Sequence, residues 1–169
     1  SLVQNSYIID TKDDCLDHNG ARLNIISTWL EGCTHEGLAS SDSEWANVVD
    51  TVVTGTNQGF EAGYGGPDLS ITNSVSVRVD NILVNDPSSD SVINAGIRFG
   101  DGYNGSNGAY TGHITAANTV VHDNQDNIRN FDGTGPQAGA IDITYSMTND
   151  TDYNSATGRL CHDGGCGSG

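Results

Sequence analysis

Six short segments decide how this chain reads: Val3-Gln4-Asn5-Ser6-Tyr7-Ile8, Ile25-Ile26-Ser27-Thr28-Trp29-Leu30, Val48-Val49-Asp50-Thr51-Val52-Val53, Ile71-Thr72-Asn73-Ser74-Val75-Ser76, the stretch Ile114 to Val121, and Ile143-Thr144-Tyr145-Ser146-Met147-Thr148. The pattern is apolar, any residue, small or polar, Ser or Thr, apolar; the fifth segment fits with extra residues before Asn118. Their starts lie 22, 23, 23, 43 and 29 residues apart. A second column keeps step with the first: Asp14-Cys15-Leu16-Asp17, Glu36-Gly37-Leu38-Ala39, Gln58-Gly59-Phe60-Glu61, Ala95-Gly96-Ile97-Arg98 and Asp126-Asn127-Ile128-Arg129. Leu16, Leu38, Phe60 and Ile128 follow Asn5, Ser27, Asp50 and Asn118 by 10 or 11 residues. Two registers in phase are far harder to obtain by chance than one.

A steady period of 22–23 residues, filled with short β-rich segments and no helical periodicity, is the signature of a solenoid. The expected fold is all-β: a right-handed parallel β-helix of about six or seven coils over residues 1–148. Residues 149–169 read as an irregular C-terminal segment with a small disulfide loop. The chain opens at Ser1-Leu2-Val3 already inside a repeat, which suits a piece of a longer β-helix or assembly. Stacked coils bury one apolar residue per strand as a ladder. One ladder is expected from Val3, Ile25, Val48, Ile71, Ile114 and Ile143, another from Leu16, Leu38, Phe60, Ile97 and Ile128. The polar third position (Asn5, Ser27, Asp50, Asn73) is expected to line an inner corner, and Trp29 to belong to the core. The double step from Ile71 to Ile114 holds either one extra rung or a long loop, and Gly63–Pro67, Gly100–Gly108 and Gly133–Gly139 read as further loops.

Charge narrows the function. Six Lys and Arg face 22 Asp and Glu, a net charge of −16, and Lys12 is the only lysine. Phosphate backbones and anionic lipids need clustered cations, so nucleic acid is excluded as a partner and no membrane insertion is expected. Four cysteines allow three pairings; Cys15–Cys33 and Cys161–Cys166 are the preferred ones, and disulfides imply an oxidising, secreted or extracellular setting. Asn104 and Asn149 fit the glycosylation sequon, which an Asn-rich chain also meets by chance.

The chemistry concentrates in Asp13-Asp14-Cys15-Leu16-Asp17-His18 and, one coil later, Thr34-His35-Glu36-Gly37. Stacking sets Asp14 over Glu36 and Asp13 near His35. Two carboxylates one coil apart, about 5 Å, cannot both stay ionised without a cation between them or a proton on one. That arrangement suits a Ca²⁺ site with oxygen ligands or a hydrolytic acid pair. A further column, Asp17, Ala39, Glu61, Arg98 and Arg129, runs from acidic to basic. It fits an anionic sugar chain, and equally fits an axial salt-bridge ladder.

The two columns together resemble the right-handed parallel β-helix proteins of the pectate-lyase-like superfamily over about Val3 to Met147. The resemblance implies polysaccharide chemistry. Pectin-degrading hydrolases of that group carry an Asp-Asp pair, a Gly-His-Gly about one coil later, then a Gly-x-Arg-x-Lys. Asp13-Asp14 and His35 match the first two in type and spacing, while the third place reads Gly59-Phe60-Glu61-Ala62. Lyases of the group use Ca²⁺ with an Arg or Lys base, which implies Lys12, Arg98 and Arg129 as candidate bases and Asp13, Asp14, Asp17, Glu36 and Glu61 as calcium ligands. The implied catalytic residues are thus Asp13, Asp14, His35 and Arg98, with Tyr64, Tyr103 and Arg129 as substrate contacts. Two functional expectations follow: a secreted lyase-like or hydrolase-like protein acting on or binding an acidic polysaccharide, or a structural, adhesive solenoid, stiffened by calcium and associating end to end.

Overall fold

The computed structural model describes residues 1–42, 44–63, 65–77, 95–99, 112–122, 124, 126–130, 141–148, 153–154 and 159–160. They form a parallel β-solenoid, with no helix among them. The first coil is β1 (Leu2–Gln4), β2 (Tyr7–Ile9) and β3 (Leu16–His18); the second is β4 (Arg22–Ile26), β5 (Trp29–Glu31) and β6 (Glu36–Ser40). The third is β7 (Trp45–Val49), β8 (Val52–Thr54) and β9 (Gln58–Ala62), and the fourth β10 (Asp68–Thr72), β11 (Val75–Val77) and β12 (Ala95–Phe99). Strands β13 (His113–Ala117), β14 (Val120–His122) and β15 (Asp126–Asn130) follow, then β16 (Ile141–Thr144) and β17 (Met147–Thr148). The short β18 (Tyr153–Asn154) and β19 (Arg159–Leu160) pair antiparallel at one edge.

Three parallel sheets result. Sheet A is β1-β4-β7-β10-β13-β16, extended by β19 and β18; sheet B is β2-β5-β8-β11-β14-β17; sheet C is β3-β6-β9-β12-β15. Leu16, Leu38, Phe60, Ile97 and Ile128 stack in one register, as the spacing predicts. Fewer coils are described than the six or seven expected. Three run almost without interruption, and two more are built on β10–β12 and β13–β15. The double step accounts for part of the shortfall: β10 pairs directly with β13, so no further rung lies between them in sheet A.

The same pairing corrects one ladder. Ile71 aligns with Ala116, and Ile114 aligns with Leu69 and Ile141. The core column is therefore Val3, Ile25, Val48, Ile71, Ala116, Ile143. Beside it run Leu23, Ala46, Leu69, Ile114 and Ile141, all buried.

The corner between sheets A and B explains two further departures. Asn5, Ser27, Asp50, Asn73, Asn118 and Tyr145 hold φ of +50 to +51°, the left-handed region that Asn and Asp tolerate best. A residue there turns the chain while its amide still reaches the next coil, as Asn5 N reaches Ile26 O at 3.0 Å. Its side chain is left exposed, so these residues do not line the interior. The turn also resets the alternation. Thr28 and Leu30 face inward and Trp29 faces outward, where it stacks on Tyr7 with centroids 6.1 Å apart. The inner polar ladder is the next column, Ser6, Thr28, Thr51, Ser74, Thr119 and Ser146. Each hydroxyl donates to the carbonyl two residues back at 2.8–3.1 Å. Ser74 Oγ and Ser146 Oγ also accept from the Thr51 and Thr119 amides, tying coil to coil. Each such bond contributes about 0.5–1.5 kcal/mol.

Sheet C is the most enclosed, with every residue of β6, β9 and β12 buried. The glycines before Leu38, Phe60 and Ile97 have a packing reason. A Cβ on Gly59 would sit 2.1 Å from the Gly96 carbonyl oxygen and 2.4 Å from Ser76 Oγ.

Candidate functional site

The turn from β2 to β3 and the start of β6 bring the acids together. Thr11 Oγ1 donates to the carbonyls of Asp13 (2.7 Å) and Asp14 (3.1 Å), which shapes the acidic turn. The Cys15–Cys33 disulfide, with Cα atoms 5.5 Å apart, staples the first coil to the second beside it. The Cys15 amide bonds to the Glu36 carbonyl at 2.8 Å, and the Glu36 amide donates to Asp14 Oδ1 at 3.1 Å. Asp14 and Glu36 are thereby held one coil apart.

His35 sits between them. Its Nδ1 lies 3.1 Å from Asp14 Oδ1 and 3.8 Å from Asp13 Oδ1, and it also contacts Glu36 Oε2. Glu36 is almost wholly enclosed, Asp14 mostly so, while 27% of the His35 side chain and 89% of the Asp13 side chain are exposed. Hydrogen bonds to Asp14 and then Glu36 outweigh burial and push the imidazole up to about 11, so the ring is a cation at neutral pH. The two carboxyls are driven apart. Burial, followed by the charge of Glu61, raises Glu36 well above the usual range. Burial would raise Asp14 too, but the bonds from His35 and Glu36 overcome it and leave Asp14 low. Asp17, exposed and accepting from Asn19 Nδ2 at 2.8 Å, is raised by partial desolvation and by the charge of Asp14.

The acid-to-base column is real. Asp17, Ala39, Glu61, Arg98 and Arg129 share a register in sheet C. Its centre is an ion pair, Arg98 Nη1 to Glu61 Oε2 at 3.2 Å, with both side chains 4% exposed. Arg98 is thus engaged with a carboxylate and enclosed. Gln58, aligned with Glu36 and buried, was not singled out by sequence reasoning; its place 22 residues after Glu36 was the available signal. Its Oε1 has no hydrogen-bond partner among the described residues. Tyr64, Tyr103, Cys161, Cys166, Asn104 and Asn149 lie outside the described residues.

Among the described residues, Asp13, Asp14 and His35 are grouped closely enough to share a metal, with ligand atoms within 4.8 Å of one another. They fit calcium poorly. Calcium takes roughly six to eight oxygens, whereas this group offers two carboxylates and one ring nitrogen. Glu36 and Glu61 are turned to His35 and Arg98. What the arrangement does offer is proton handling: a lowered and a raised carboxyl on one imidazole, the pattern by which enzymes separate base from acid. Compared with protein-family models, with curated proteins and with solved structures, the chain matches none.

Proposed function

We propose that this chain is a secreted, carbohydrate-active β-solenoid whose Asp14–His35–Glu36 cluster handles protons on a polysaccharide. The observation that carries the reading is the single ring nitrogen shared by two carboxyls with opposite displacements. Its two carboxyls meet at one imidazole nitrogen and bond to each other, so they act as one proton-sharing unit. Exposed Asp17, with its raised carboxyl, supplies the second acid. The resemblance to the pectate-lyase-like superfamily supports the substrate class. The enclosed Arg98–Glu61 pair favours hydrolysis over elimination, because a base tied to a carboxylate is poorly placed to take a sugar proton.

The test is turnover on a panel of acidic and neutral polysaccharides, with calcium and with chelator. Reducing ends report hydrolysis, and ultraviolet absorbance of an unsaturated product reports elimination. New reducing ends that disappear in Asp14→Asn and Glu36→Gln support the reading; no product from any polymer refutes it. A second reading, an adhesive or filament-forming solenoid, is favoured by the outward apolar column Tyr7, Trp29, Val52, Val75, Val120 and Met147 along sheet B. Sedimentation that stays monomeric with and without calcium counts against it.

A further inference from the structure

We infer that the outer face of sheet A carries a separate binding groove for a neutral polysaccharide chain lying along the rod. The groove is about 350 Å³ and is lined by Trp45, Asn47, Asp68, Ser70, His113 and Thr115, with Ala46 and Leu69 at its floor. That volume is within the usual range of ligand clefts. Register builds it: Trp45, Asp68 and His113 stack in one column, and Asn47, Ser70 and Thr115 in the next. The residues between these columns, Ala46, Leu69 and Ile114, point into the core, so strand alternation holds the groove side chains outward on a rigid sheet.

The chemistry selects the ligand. Trp45 offers an apolar ring to the C–H faces of a sugar. The other lining side chains offer hydroxyl, amide, carboxylate and imidazole groups, which suit sugar hydroxyls. Two of them are already oriented. His113 Nε2 lies 2.9 Å from Asp142 Oδ2, and Asn47 Nδ2 donates to Asn24 Oδ1 at 3.3 Å. Successive coils repeat at about 4.8 Å along the axis, close to the length of one pyranose in an extended chain, so a chain parallel to the rod meets the same donor rows sugar after sugar. The balance of charge favours a neutral chain over an anionic one. Asp68 and Asp142 border the groove, Glu44 precedes Trp45, and the chain carries −16 overall. Arg22, in the column of Trp45, is engaged by Glu44 at 3.2 Å, and Arg159 aligns with Asp142 beyond Thr115 in the second column.

This site is on a different sheet from Asp14, His35 and Glu36, and its occupancy does not depend on cleavage there. Native electrophoresis of the full chain tests it, in gels containing either a soluble neutral polymer (mixed-linkage glucan, glucomannan or galactomannan) or an acidic one (polygalacturonate or alginate). The expected result is retardation by at least one neutral polymer and by neither acidic one. Trp45→Ala should weaken retardation by about tenfold or more, while Asp14→Asn is retarded like the parent. Asp68→Ala, at an exposed position that leaves the core intact, should weaken it too and decides the matter if Trp45→Ala fails to fold. No retardation by any neutral polymer overturns the inference. So does undiminished binding by Asp68→Ala together with a folded Trp45→Ala, or loss of binding in Asp14→Asn.

Discussion

Replacing His35 with Gln removes the cation that two carboxyls share, and the consequence depends on pH in a defined direction. The folded-state value, about 11, lies above the ordinary 6.5. The stabilisation from protonation is therefore complete below pH 6.5, is eroded as pH rises, and is gone above about pH 11. At about 1.4 kcal/mol per pH unit the gap sets an upper limit of about 6 kcal/mol. Burial of the partners offsets part of it. Removing one member of a fully buried pair costs about 3–5 kcal/mol, and with 27% of this side chain exposed roughly 2–3 kcal/mol is expected at pH 6. Thermal unfolding followed by circular dichroism at pH 6 and pH 10 reads the effect. The parent should lose stability between the two, and His35→Gln should start lower and lose much less. Parallel curves for the two proteins would refute the reasoning.

Other perturbations probe neighbouring parts. Glu36→Gln should flatten the decline in stability that sets in above pH 4.5, because a carboxyl raised in the fold costs stability as pH rises past its ordinary 4.5; a steeper decline in the variant counts against that. Gly59→Ala should lower the melting temperature by several degrees, since the new methyl meets the Gly96 carbonyl, and overpacking costs about 1–3 kcal/mol. Phe60→Ala empties a fully buried position and should cost about 3–5 kcal/mol in urea unfolding. Glu61→Gln should destabilise by about 3–5 kcal/mol through its buried partner Arg98, and Glu61→Leu combined with Arg98→Met should cost much less.

Much of this was legible in the sequence because a solenoid writes its register as a spacing. The step from Leu16 to Leu38 to Phe60 places Asp14 over Glu36, and its continuation to Ile97 aligns Glu61 with Arg98. The corner was not legible. Asn5 and its counterparts look like a stacking ladder, and only their left-handed φ shows that the chain turns there and passes the inward position to the next Ser or Thr. The same shift sends Trp29 outward. Register was also ambiguous at Ile114, where two apolar residues two apart, Ile114 and Ala116, both face inward and either satisfies the pattern. Within the site, the spacing gave proximity but not partners: that Glu36 turns to His35 and Glu61 to Arg98 depends on side-chain geometry that no repeat encodes.

The account rests on one carboxyl raised and its neighbour lowered beside a shared imidazole. The chain contains four glutamates, so carbon-13 labelling of their side-chain carboxyls gives a spectrum simple enough to assign by substitution. A pH titration of that spectrum should show Glu36 releasing its proton well above the ordinary 4.5 in the parent, and moving toward that value when Glu61→Gln removes the neighbouring charge. A Glu36 midpoint at the ordinary value in the folded parent would contradict the proton-sharing site.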